Sequence, residues 1–167
     1  KCAGYFIKGS YVWNGKPLRF GLKNNKLALI DRRYIEFPVI NDLDIPGMGE
    51  IEGHYQPVLK QSASGMKIGR MKKPLLHYAT EDMGKWNERH RRYAVWQAEV
   101  ERRNALPCEV TGFRRLLKSF FRLFPLRPYL AFLHSYVLKL GFLDGRRGWQ
   151  LARLRKKYYE YICSYKG

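Results

Sequence analysis

Thr80-Glu81-Asp82-Met83-Gly84-Lys85-Trp86, running on through Arg89-His90-Arg91-Arg92-Tyr93-Ala94-Val95-Trp96-Gln97-Ala98 to Ala105, divides this 167-residue chain into two unlike halves. No proline interrupts Met83 to Ala105. Trp86, Tyr93 and Val100 recur at seven-residue spacing, which predicts a helix over 80–105 with one apolar face. Thr80 is a candidate N-cap, and Glu81 and Asp82 suit the positive first turn. Trp96 is expected in the core. Arg89, His90 and Arg92 surround Tyr93 at mid-helix, and Glu99, Glu101, Arg102 and Arg103 read as an exposed end. Pro107 stops the pattern.

Upstream, the period changes to that of strands. Tyr5-Phe6-Ile7 and Tyr11-Val12-Trp13 are β-rich runs set apart by Gly9-Ser10, and Asn14-Gly15 is a turn signal. Leu27-Ala28-Leu29-Ile30 reads as a buried strand. Tyr34 to Val39 reads as another, ended or placed at an edge by Pro38. Pro57-Val58-Leu59 continues the set, Gln61 to Gly65 forms a loop, and Ile68 to His77 returns to the sheet. Lys67, Arg70, Lys72 and Lys73 discourage edge pairing there. The expected architecture is α/β, as an α+β fragment: a small, mostly antiparallel sheet, a long helix, then basic amphipathic C-terminal helices near 113–124, 128–143 and 147–164.

Between the strands lies Glu50-Ile51-Glu52-Gly53-His54-Tyr55-Gln56-Pro57. In an extended backbone Glu50, Glu52 and His54 share one face. Gly53 gives local freedom, and Pro57 then fixes φ. Such a row can hold a hydroxyl and take its proton; the plain alternative is a solvated turn. Asp42-Leu43-Asp44 has the spacing of a Mg²⁺ or Mn²⁺ site, since hard cations prefer oxygen ligands. Turn-forming aspartates are the alternative.

A formal charge of +18 and 12 tyrosines point to a polyanionic partner: nucleic acid, anionic lipid headgroups or a phosphorylated substrate. Cys2, Cys108 and Cys163 form no CxxC pair, so free thiols are expected rather than a zinc site or a disulfide framework. A chain starting at Lys1 with no signal-peptide pattern is expected to be a fragment or a trimmed form.

The tail carries an amphipathic pattern. Phe113, Leu116, Leu117, Phe120, Phe121 and Phe124 fall on one helical face, with Arg114, Arg115, Lys118 and Arg122 on the other. An aromatic face opposed by cations suits a membrane interface, and a docked core helix is the alternative. Tyr129 to Leu143 is apolar but short of the roughly 20 residues a span needs. From Pro107 onward thirteen cations stand against three acids, a net +10. The expected division is therefore 1–106 and a basic aromatic helical tail, 107–167.

Taken together and in order, Glu50 to Pro57, Leu76-His77-Tyr78 and Arg89 to Ala98 resemble the second, acceptor half of bacterial family 2 glycosyltransferases of GT-A fold. The resemblance covers most of residues 1 to about 105. It implies an inverting transferase acting in surface polysaccharide synthesis. The donor would be a nucleotide-sugar and the acceptor a glycan or a lipid-linked sugar. The enzyme would lie in the cytoplasm, peripheral on the inner face of the cell membrane. A carboxylate of the Glu50/Glu52 pair would be the general base, Glu52 being favoured because Gly53 follows it. His54, Tyr55, Gln56, Arg89, His90 and Tyr93 would meet substrate. A divalent metal, Mg or Mn, belongs to the whole enzyme with its ligands mostly upstream, and His77 could complete its shell. The nucleotide-binding half is not recognisable here, and Asp42-Leu43-Asp44 follows strands that already resemble the acceptor half. The chain alone is thus expected to be inactive. A basic nucleic-acid-binding domain, or a non-catalytic interaction domain, is the competing reading, although zinc spacing, RNP-like strands and KH-like loops are missing from the sequence.

Overall fold

A computed structural model describes residues 2–38, 43, 45, 57–78, 82–103, 105, 116, 119–122 and 124–166. It is a mixed α/β structure: a small sheet, a long helix and a set of C-terminal helices. One long strand, β1 (Cys2–Trp13), organises the sheet. Strands β2 (Lys16–Pro17) and β3 (Asn24–Ile30) pair antiparallel with it. On the edge opposite β3, β6 (Lys67–Arg70) and β7 (Leu75–His77) pair parallel with it. A separate antiparallel pair joins β4 (Ile35–Glu36) to β5 (Val58–Leu59). The sheet is partly antiparallel, as expected, but β5 pairs with β4 rather than across the 61–65 loop, and β6 and β7 join β1 in parallel.

Local chemistry explains the main departures from the expected boundaries. Asn14 and Gly15 both take positive φ, as a two-residue hairpin turn requires. Gly9 does not break β1, because the carbonyl of Asn24 on β3 occupies the place of a Cβ, 2.4 Å from it. Here glycine permits close approach of two backbones. Residues 68–77 divide into two strands around Met71–Pro74. Proline has no N–H for a continuous ladder.

Helix α1 (Met83–Arg102) starts later than residue 80. Its cap is Asp82, whose carboxylate accepts from the Lys85 amide at 3.0 Å. A carboxylate there satisfies an otherwise orphaned amide and complements the helix dipole. Helix α2 (Arg127–Leu133) runs into a π-helical turn (His134–Leu138). Leu140 then takes positive φ, and a 3-10 turn (Gly141–Asp144) leads into α3 (Gly145–Lys166). Among the described residues no helix is long and apolar enough to cross a membrane.

Three apolar clusters fix the arrangement. Ala3, Leu27 and Ile35 form the core within the sheet. Ala94 and Ala98 on α1 receive Ile162 of α3, and small residues one turn apart allow the two helices to pack closely. Trp96 and Val100, on another side of α1, bury Leu43. Trp96 therefore sits in the core, as its sequence context suggests.

At the C-terminal end of α1, Arg102 and Arg103 are exposed as their charge suggests, but Glu101 is not. The side chain of Glu101 is only 4% exposed and that of Arg127 2%, and they pair at 2.7 Å. Lys166 Nζ lies 2.9 Å from the same carboxylate oxygen, and Gln97 donates to the other at 3.1 Å. Arg127 Nε also donates to Cys163 Sγ at 3.3 Å. One buried ion pair thus ties α1, α2 and α3 together. Cys2 and Cys163 are both free, half-buried thiols.

A second tie involves the turn before α3. Asp144 accepts from the backbone amides of Arg19 at 3.1 Å and Phe20 at 2.8 Å. The Gly21 amide donates to the Lys139 carbonyl at 2.8 Å. Gly148 sits so close to the Gly141 carbonyl that a Cβ would fall 1.8 Å from its oxygen. The loop after β2 is therefore clamped to the C-terminal helices.

Candidate functional site

The C-terminal half of β1 is where strand, helix and tail chemistry meet. Register pairs Tyr11 with His77 across β1 and β7, and their rings lie 5.2 Å apart. Burial first, then the positive charges of Lys26 and Arg89, hold the His77 imidazole below its ordinary pKa. Tyr11 is pushed up by burial, partly opposed by the charge of Arg155 on α3. His134, in the π-helical turn, is lowered by burial and by Arg155 and Lys139. Both imidazoles are therefore neutral at neutral pH within a field of cations. That combination suits an anion such as a phosphate, with a neutral imidazole able to hold or pass a proton.

Nearby, a cleft of about 470 Å³ opens between the end of β1, the start of α1 and α3. Trp13, Met83, Arg153, Lys156, Lys157 and Glu160 line it. Gln150 and Leu154 complete the lining, so its walls are largely apolar with three cations, of which Lys156 is paired with Glu160.

The expected site residues are distributed as follows. Arg89 stands on α1 close enough to His77 to depress its pKa. His90 is built into packing instead. Its ring stacks on Trp86 at 3.7 Å and meets the edges of Tyr93 and Tyr158 at 5.8 and 5.7 Å. Its Nδ1–H donates to the Trp86 carbonyl at 2.8 Å. Tyr93 belongs to the same aromatic group, at the junction of α1 and α3. Tyr158 there is raised well above its ordinary pKa, chiefly by burial.

Glu50, Glu52, His54, Tyr55 and Gln56 lie outside the described residues, as do Asp42 and Asp44. Their flanks are described. Leu43 and Ile45 pack with Trp96 and Val100 of α1, and Val58 pairs with Glu36 in the sheet.

Of the amphipathic stretch, Phe113, Arg114, Arg115, Leu117 and Lys118 also lie outside the described residues. Leu116 and Phe120 are exposed, and Arg122 is half-buried. Phe121 sets its ring edge against Tyr159 of α3 at 5.2 Å, and Phe124 lies 5.5 Å from Phe120. The described part of the stripe is thus divided between protein packing and solvent.

Among the described residues no group of three His, Cys, Asp or Glu side chains is placed to hold a metal ion.

Sequence reading missed Tyr11 as the neighbour of His77, and Arg155 as a charge that acts on both Tyr11 and His134. Tyr11, Arg155 and His134 come from three separate elements, and no local spacing signals such a meeting. No protein-family model matches the chain, and neither curated proteins nor solved structures include a match.

Proposed function

We propose that this chain is the acceptor-side half of an inverting glycosyltransferase similar to family 2 enzymes of partial GT-A fold. It would transfer a sugar from a nucleotide-sugar to a glycan or lipid-linked acceptor in surface polysaccharide synthesis. One observation supports the reading most. The charge of Arg89 on α1 acts on His77, and Leu43 and Ile45, upstream of Glu50, pack with Trp96 and Val100 of the same helix.

The chemistry assigned to each group follows from its type. A carboxylate of Glu52 or Glu50 takes the proton from the acceptor hydroxyl as its oxygen attacks the anomeric carbon. The bond from that carbon to the diphosphate breaks, and cations such as Arg89 and Lys26 offset the charge developing on the leaving group. His54, Tyr55 and Gln56 belong to the acceptor side of the same reading, whereas His90 and Tyr93 support it through the packing of α1 on α3. The divalent metal, Mg or Mn, would come with the donor half. The basic tail would hold the enzyme peripherally on the inner face of the cell membrane, where a lipid-linked acceptor is found.

The test uses the full-length protein that carries this chain, with a panel of nucleotide-sugars and membrane-extracted acceptors. Glu52→Gln is expected to lower turnover by about 10²–10⁴, the usual worth of a general base, with nucleotide affinity unchanged. Glu50→Gln provides the comparison. Undiminished transfer by both variants would refute the assignment, as would tighter binding of the chain to oligonucleotides than to anionic lipid.

A further inference from the structure

We infer that the outer face of α2 and its π-helical continuation is a membrane contact of this chain. The inference rests on the peripheral-membrane part of the reading above. Leu126, Tyr129, Leu133 and Val137 recur at i, i+3, i+7 and i+11 and are 54%, 56%, 49% and 46% exposed. Arg127, Ala131 and Ser135 lie on the opposite side of the same helix and are buried. The protein therefore covers the side that carries Arg127, Ala131 and Ser135, while the apolar row on the other side is left exposed. A continuous apolar stripe left in water calls for a partner surface.

The charge around the stripe names the partner. Residues 110–143 contain no Asp or Glu and six Lys or Arg. Arg127 is engaged in the buried pair, but Lys139 is exposed just past the stripe, and Arg146 and Arg153 are exposed beyond it. Lys156 places its ammonium 4.6 Å from the centre of the Tyr129 ring and is paired with Glu160. Asp144, the first acid after the stripe, already accepts from two backbone amides. The surface thus combines an aliphatic row with a cationic surround. That is the chemistry of a helix lying in the headgroup region of an anionic bilayer. Nucleic acid would need stacking rings in a cationic groove, whereas this row is Leu, Leu and Val with a single Tyr.

The experiment is co-sedimentation of the chain with vesicles of phosphatidylcholine alone and of phosphatidylcholine mixed with phosphatidylglycerol. Leu133→Ser combined with Val137→Ser should weaken binding to the anionic vesicles about tenfold or more. The thermal midpoint should change little, because both side chains are half exposed. Added salt should weaken binding of the wild type. Wild-type affinity in the Leu133/Val137 variant, with wild-type binding intact, would overturn the assignment of this face and leave the membrane reading standing. Absence of vesicle binding by the wild type would overturn both. A concentration-dependent dimer, dissolved by the same substitutions, would identify a second copy as the occupant and overturn the proposal.

Discussion

Replacing Arg127 by Met removes one member of the ion pair that joins all three helices. Glu101 would remain with a side chain 4% exposed, keeping only Lys166 and Gln97 as partners. Removing one partner of a buried pair costs about 3–5 kcal/mol, because the other charge stays desolvated. Lys166 is partly exposed and still in reach, so the lower end applies, about 3 kcal/mol. With an m-value of about 1–3 kcal/mol/M, the urea midpoint followed by circular dichroism should fall by roughly 1 M or more. Acid provides an internal check. Burial alone would raise the Glu101 pKa, but hydrogen bonds from Arg127 and Lys166 and the charge of Arg127 hold it below its ordinary value. A carboxyl depressed in the folded state contributes stability above its unfolded pKa, and that stability is lost as pH falls through the folded one. Without Arg127 the depression weakens, so the gap between variant and wild type should narrow as Glu101 protonates. The double variant Glu101→Leu, Arg127→Met should recover most of the loss, since apolar replacement of a buried pair is often neutral. A cost below about 1 kcal/mol at neutral pH, or a double variant as unstable as the single one, would refute the reasoning.

Two further substitutions test the clamp between the β2 loop and the C-terminal helices. Gly148→Ala places a methyl group against the Gly141 carbonyl, 1.8 Å away before relaxation, and should destabilise by about 1–3 kcal/mol or more in thermal unfolding. Asp144→Ala leaves the Arg19 and Phe20 amides without their carboxylate and should cost about 1–3 kcal/mol. Amide exchange should accelerate at residues 19–21 before it does in β1, and equal protection in variant and wild type would count against the clamp.

Much of the architecture was legible from local pattern. The helix through Trp86, Tyr93 and Val100, the Asn14-Gly15 turn, the strand at 27–30 and the helical tail each rest on periodicity or turn chemistry confined to a few residues. The places where expectation and structure part are those decided by non-local contact. Gly9-Ser10 looked like a break, but the approach of Asn24 makes Gly9 a packing residue. Glu101 looked solvated until Arg127, 26 positions away, supplied its partner.

The candidate site divides along the same line. Residue types alone identified Glu50, Glu52, Arg89 and His90 as groups able to do chemistry. They could not separate Arg89, whose charge acts on His77, from His90, which is stacked on Trp86 within the packing of α1. Adjacent positions on a helix differ by about 100° in direction, so the packing of α3 decides which one is enclosed. Composition alone determined that the tail is cationic and apolar. Only tertiary structure decided which apolar residues are consumed: Ile162 and Phe121 against the protein, Leu133 and Val137 left outward. The physical reason is that hydrophobicity belongs to each residue, whereas burial belongs to the pair of surfaces that meet.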